Sequence, residues 1–378
     1  MRLTRIAGLA AAFALVATTA APGMVSAHER PVGGTGGIPT YQHIFVVVME
    51  NHNYQQIIGN PHAPRINSLA QRYGLATHYY GITHPSEPNY VALIGGSNFG
   101  IQSDDPYSDT AGQASDHVNH TITASNLADQ LEAAGLSWKS YQQSLPYPGY
   151  TGTYYPSSAN PLYASKHDPF LNFADIQTNP ARLQKIVPDT QLFTDLQSDA
   201  VPNVSFIAPD QCHDMHGGAP TCPYANNADD PKDKNDIFLV QQGDAYVANL
   251  VDTITSSRTW KQGNNAIVVT WDENDNYDNR NDPASYTGCC DAPTPHGGGQ
   301  VVTIVIANHL HYGPHGIQDA TPYNHYALLR TIQTAFRLGC VQYTCDTANV
   351  PLMTPLFGHS ADDHHDDGNG HGNGNGNH

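Results

Sequence analysis

The most restrictive feature of this chain is a pair of short β-branched runs that stop abruptly at acidic residues. Ala266-Ile267-Val268-Val269-Thr270 passes into Trp271-Asp272-Glu273-Asn274-Asp275, and His43-Ile44-Phe45-Val46-Val47-Val48-Met49 passes into Glu50-Asn51. Apolar runs without polar alternation suit strands covered on both faces, as in the parallel sheets of α/β proteins. Such sheets bind ligands beyond the carboxyl ends of their strands. Glu50, Asp272 and Glu273, with the Asn51 amide, are therefore expected to converge at one sheet edge. Carboxylates crowded into a desolvated crevice raise one another's pKa, and a hard cation is the simplest relief. A third run, Val204-Ser205-Phe206-Ile207-Ala208, delivers Pro209-Asp210-Gln211-Cys212-His213-Asp214-Met215-His216 in the same manner.

The rest of the chain fits one α/β domain with loop insertions. Helical spacing marks Ala63 to Tyr73, Thr123 to Ala134 with Ser125 as cap and Gly135 as stop, Gln242 to Ser256, and Asn324 to Phe336. A further strand is predicted from Val301 to Ala307, residues 141–170 read as irregular and rich in Tyr and Pro, and Asn226 to Asp236 as an exposed polar insertion. Within that insertion Asp229, Asp230, Asp233 and Asp236 lack the regular spacing of a calcium loop. Ser86 lies between two prolines just before an apolar helical start at Tyr90, so its hydroxyl can sit at a helix amino end where anions bind.

Residues 1–27 read as an export signal: Arg2 and Arg5, an apolar stretch from Ile6 to Ala21, and the small-residue site Val25-Ser26-Ala27. No later run reaches the roughly 18 apolar residues of a membrane helix, so no stable membrane insertion is expected and the product reads as secreted. Residues 28–358 form the expected catalytic domain. The tail 359–378, almost wholly Asp, His, Gly and Asn, cannot bury a core and is predicted to be disordered. Six cysteines in an oxidising compartment favour disulfides, with Cys212–Cys222 and Cys340–Cys345 as local loops. A bond between the neighbours Cys289 and Cys290 would be strained, so crossing to the first loop stays open. A formal charge of −18 argues against nucleic acid and opposes anionic membranes. The 21 histidines would offset that charge once protonated, easing the approach of an anionic substrate.

The motifs together resemble the phosphoesterase family that holds bacterial secreted acid phosphatases and phospholipases C, within the alkaline-phosphatase-like superfamily. The matching segments, in order, are Val46 to Asn51, Thr83 to Tyr90, Lys166-His167-Asp168-Pro169, Asp214-Met215-His216, Gln242-Gly243-Asp244-Ala245, Val269 to Glu273 and Asn324-His325-Tyr326. The resemblance is greatest to the short secreted acid phosphatases, some of which act on phosphoinositides. It implies a three-layer α/β/α sandwich, a divalent ion held by Glu50, Asn51, Asp272 and Glu273, and a nucleophile at Ser86. A serine hydroxyl needs a metal or base to become a nucleophile at neutral pH, which agrees with that pairing. His216 is assigned as general acid for the leaving oxygen and His167 as a holder of the phosphoryl group. Oxygen-rich ligation suits Ca²⁺, Mg²⁺ or Mn²⁺. Departures from the family pattern are His213, Gly217 and longer segments at Cys212 to Asp236 and Asp275 to Gly299, which bear on the pocket mouth and so on substrate choice.

Other readings compete. The expected substrate is a small phosphomonoester or a phosphoinositide; the runner-up is a phospholipase C splitting a phosphodiester, with the segment from Tyr141 to Tyr163 as a lipid-facing surface. A different class of function is an exported metal scavenger acting through its His-Asp tail. Thr83 is the rival hydroxyl to Ser86, His84 reads as a loop residue, and His325 reads equally as a site residue or a helix start.

Overall fold

A computed structural model describes residues 37–228, 230–275, 290 and 297–358. The leader, Asp229, most of 276–296 and the tail lie outside these residues. The strands are β1 (His43–Met49), β2 (Gly74–Tyr80), β3 (Trp138–Gln142), β4 (Tyr154–Ser157), β5 (Asn160–Ala164), β6 (Ile186–Pro188), β7 (Val204–Ala208), β8 (Asn265–Trp271), β9 (Gln300–Ala307), β10 (Ile317–Asp319) and β11 (Tyr323–Asn324). The main sheet has the order β10-β2-β9-β8-β1-β7-β3-β6, with β11 also on β2, while β4 and β5 form a separate hairpin. From β8 through β1, β7 and β3 to β6 every pairing is parallel; β9 runs antiparallel to both of its neighbours.

Every residue of β7 and β8 is buried, as are all but the first of β1. Burial on both faces requires a helical layer on each side. The Pro64–Arg72 helix packs on the Lys234–Ser256 helix, and the Ser86–Gly95 helix on His325–Ala335. The architecture is thus the expected three-layer α/β/α sandwich. Among the described residues no helix is long and apolar enough to cross a membrane.

Several local expectations are corrected. The long helix begins at Lys234, eight residues before Gln242, because Asp233 caps it by accepting from the Asn235 and Asp236 amides at 2.9 and 3.2 Å. Asp236 is buried and lies 2.9 Å from His52 Nε2, so part of the supposed exposed insertion is a helix start. The helix ending at Ala133 starts at Leu127 and is capped by Asn126, not Ser125. Within the Tyr-rich segment, read as irregular, lie the end of β3 and the β4–β5 hairpin. Cys212–Cys222 and Cys340–Cys345 are both disulfide-bonded, so neither cysteine of the first loop is available for a crossing bond; Cys289 lies outside the described residues.

Candidate active site

Strand register builds the centre. Met49 pairs with Trp271 in the parallel β1–β8 ladder, so the residues that follow, Glu50 and Asp272, emerge side by side. The Asp272 amide donates to the Met49 carbonyl at 3.0 Å, and the Asn51 amide to Asp272 Oδ1 at 3.2 Å. On the other flank of β1, the loop after β7 returns to accept from the Glu50 amide at the Asp214 carbonyl, 2.8 Å away. Glu50, Asp214, Asp272 and Glu273 are all fully buried.

Ser86 is the first residue of its helix, and its Oγ donates to Glu50 Oε2 at 3.0 Å with Glu273 Oε1 at 3.4 Å. Two features fix this loop. Asn89 Oδ1 accepts from the Ile82 and Thr83 amides while its Nδ2 donates to the Thr83 and Pro85 carbonyls. Gly81 passes so close to the acidic turn that a Cβ there would lie 2.6 Å from the Asp272 carbonyl oxygen. Thr83 Oγ1 bonds its own loop at the His84 carbonyl, 3.2 Å away. His84, read as a loop residue, does sit in the loop, yet its Nδ1 lies against Glu273 Oε2.

Basic groups face the carboxylates. His167 stacks on Tyr90 and places Nε2 3.0 Å from Glu50 Oε1 and Nδ1 3.3 Å from Asp214 Oδ2. Burial opposes its charge, but these two carboxylates prevail and raise its pKa to about 9. Glu50 is correspondingly held below the usual carboxylate range: burial pushes it up, and His167, Lys166 and His216 more than reverse this. Asp272 and Glu273 are pushed well up by burial and by Glu50. Lys166 Nζ reaches Asp104 Oδ2 at 2.9 Å, His216 Nε2 at 3.2 Å and Ser86 Oγ at 3.4 Å.

The partners of His216 fix its tautomer. Its Nδ1 donates to the Gly217 carbonyl at 2.9 Å, so Nε2 carries the lone pair that accepts from Lys166. Burial and the neighbouring ammonium push its pKa down to about 3. A general-acid role therefore requires His216 first to gain a proton.

The donors fit a cation. Asp272 Oδ2 is buried with no hydrogen-bond partner, and the buried Glu50 Oε1 and Asp214 Oδ2 share the single His167 ring, an arrangement that costs free energy unless further positive charge meets these carboxylates. Ligand atoms of Glu50, His167 and His216 lie within 4.8 Å of one another. With imidazole nitrogens in reach, the donor set is mixed, and the argument from purely oxygen ligation to Ca²⁺, Mg²⁺ or Mn²⁺ weakens. Asn51 meets this cluster through its backbone amide. His325 stands behind it: Nε2 donates to the Asp272 carbonyl at 2.6 Å, and Nδ1 accepts from Tyr79. Lys166, Asp214 and Asp104 were not singled out from sequence, although the first two belong to the matched segments.

The Phosphoesterase family's sequence profile matches residues 60–339. A phosphatidylinositol-3-phosphatase of Mycobacterium tuberculosis is 28% identical over 357 residues, which cover 94% of this chain and 96% of that protein. An acid phosphatase of Aspergillus fumigatus is 25% identical over 85% of this chain, but the match spans only 65% of the fungal protein. Among solved structures, a sulfatase from Pseudoalteromonas sp. superposes with a TM-score of 0.49 at 13% identity, covering 78% of this chain and 68% of that one. The chain belongs to the Phosphoesterase family and is a hydrolase acting on phosphoric ester bonds.

Proposed function

We propose that the protein is a secreted, metal-dependent acid phosphatase that removes phosphate from monoesters, phosphoinositides among them, through a phosphoserine at Ser86. The observation that carries this reading is the Ser86 hydroxyl, buried at a helix amino end and hydrogen-bonded to Glu50 within a cluster of fully buried carboxylates. Glu50, Asp272 and Glu273, with Asn51 beside them, would hold a divalent ion, and His167 and His216 bring ligand-type nitrogens close to Glu50. Such an ion supplies positive charge that lowers the pKa of the serine hydroxyl and neutralises phosphoryl oxygen.

Ser86 Oγ, oriented by its hydrogen bond to Glu50, attacks phosphorus and gives up its proton to water as the bond to the leaving oxygen breaks. Lys166, 3.4 Å from that oxygen, faces the charge that develops on the phosphoryl group. His167 is held charged between Glu50 and Asp214 and adds to the same field. His216 protonates the leaving oxygen. A phosphoryl dianion seated beside it supplies the negative charge that lets it take up the proton it lacks at rest, which favours turnover in acid. Water then hydrolyses the phosphoserine. The export signal and the two disulfides support action outside the cytoplasm.

Purified protein is assayed on p-nitrophenyl phosphate and on phosphatidylcholine, with and without a chelator and single-ion add-back. Hydrolysis of the monoester that vanishes on chelation and in Ser86→Ala, with the variant still folded, is expected. Exclusive cleavage of the phosphodiester would shift the reading to a phospholipase C, and near-normal Ser86→Ala rates would move the nucleophile elsewhere.

A further inference from the structure

Asp104 lies outside every segment that sequence reading connected with the site. Its carboxylate bridges two parts of it: Oδ1 accepts the Glu87 amide at 2.9 Å, one residue past Ser86, and Oδ2 pairs with Lys166 Nζ at 2.9 Å. The loop that carries Asp104 is stiffened from within. Asp116 accepts from the Gln102 and Val118 amides at 2.8 and 2.9 Å, and Asp105 accepts from the Ser103 and Ser115 hydroxyls at 2.7 and 2.6 Å. His120 is buried between Asp116 and Glu87, its Nδ1 2.8 Å from Glu87 Oε1. Asp105, Asp116 and His120 also bring ligand-type atoms within 4.8 Å of one another, but these bonds already engage them, so the cluster reads as a brace.

The brace matters because of what it aims. A lysine ammonium is a mobile, strongly hydrated point charge on a flexible stem. Inside a crevice that also holds Glu50 and Glu273, an untethered Lys166 would fold onto those carboxylates and be spent there. Asp104, more exposed than those buried carboxylates, holds the ammonium where it also reaches Ser86 Oγ and His216 Nε2. We propose that Asp104 is the positioning residue of this site, acting through Lys166 to keep its ammonium available to the phosphoryl group of the substrate. This rests on the phosphomonoesterase reading above.

The test is a double-mutant cycle on the full-length protein with Asp104→Asn, Lys166→Met and the pair, read on p-nitrophenyl phosphate and by inhibition with inorganic phosphate. Asparagine keeps an acceptor for the Glu87 amide and removes the charge opposite Lys166. The single Asp104→Asn variant is expected to lose roughly 10- to 100-fold in kcat/KM and to bind phosphate about 10-fold more weakly, with its thermal midpoint little changed. In the Lys166→Met background the same change should cost less than about 2-fold, since its route of action is gone. Asp104→Glu, with the charge on a longer arm, should recover part of the phosphate affinity, and it serves as the readout if the asparagine variant does not fold. Wild-type hydrolysis with unchanged phosphate inhibition in Asp104→Asn, or a full multiplicative loss in the double variant, overturns the inference alone. Absence of monoester hydrolysis by the wild type removes the functional reading, and this inference with it.

Discussion

Asn89 makes four hydrogen bonds from inside the Ser86–Gly95 helix to the loop before it, and it is fully buried. Replacing it with alanine strands the Ile82 and Thr83 amides and the Thr83 carbonyl in a dry interior, each at a cost of about 1 kcal/mol or more. Asn89→Ala is expected to destabilise the protein by about 3 kcal/mol in urea unfolding and to lower kcat further than the residual folded fraction explains. Full activity in the folded variant would mean that Ser86 holds its place without this clamp. The same scale shows what a sequence reader can see. Glu50, Asp272 and Glu273 were legible because they stand where apolar runs end, and Ser86 because it stands just before one begins; the end of a strand or the start of a helix is where a side chain meets a ligand. Lys166 and Asp104 were not, since their meeting spans 62 residues and depends on how two loops fold over the sheet edge.

At the level of elements, the same contrast recurs. β1, β7 and β8 announced themselves as continuous apolar runs, whereas β2 carries Thr77 and His78 in its middle and β3 is the mixed run Trp138–Gln142, so neither has a clear period. The start of the long helix was hidden by its polarity: Lys234, Asn235 and Asp236 lie inside the segment read as an exposed polar insertion, and the cap that begins the helix was read as surface charge. Asp233 does two jobs there. One oxygen caps the helix, and the other accepts the Asn226 and Asn227 amides at 3.0 and 3.1 Å, tethering a segment whose Tyr224 ring packs edge-on against His216. Asp233→Ala is expected to cost about 1 to 2 kcal/mol and to raise KM more than it lowers kcat, because the loosened segment borders the site while the carboxylate cluster stays intact. A drop in kcat with KM unchanged would place this segment's influence on the chemistry itself.

At the scale of the whole molecule, several buried titratable groups outside the carboxylate cluster are pushed up. Asp168 is pushed from its ordinary 3.8 to about 7 by burial, which the Ser140 hydroxyl and the Phe170 amide only partly offset. Burial likewise carries Glu87 to about 7, against the pull of His120, and His120 itself rises to about 9 because Glu87 and Asp116 outweigh its burial. A carboxyl with a raised folded pKa keeps in the native state a proton that the unfolded chain has already released, so its contribution falls as pH rises from about 4 to about 7. A histidine with a raised pKa stabilises fully below about 6.5 and loses that contribution as pH climbs through its folded value. Both slopes descend toward alkaline pH. Glu132, lowered to about 2 because Lys185, Trp138 and Arg182 overcome its burial, opposes them in strong acid, and His84 and His325, both lowered to about 4 by burial, oppose them up to about pH 6.5. The decline is therefore unopposed only above about pH 6.5, where His120 still loses its contribution, and stability is expected to fall from there toward alkaline pH. Asp168→Asn keeps an acceptor for Ser140 and cannot ionise, so its thermal midpoint should fall less than that of the wild type between about pH 5 and pH 8. The comparison is made in chelator, because an ion bound at Glu50, Asp272 and Glu273 would raise the midpoint by mass action and mask the slope. Parallel curves for the two proteins would show that Asp168 is ionised throughout that range.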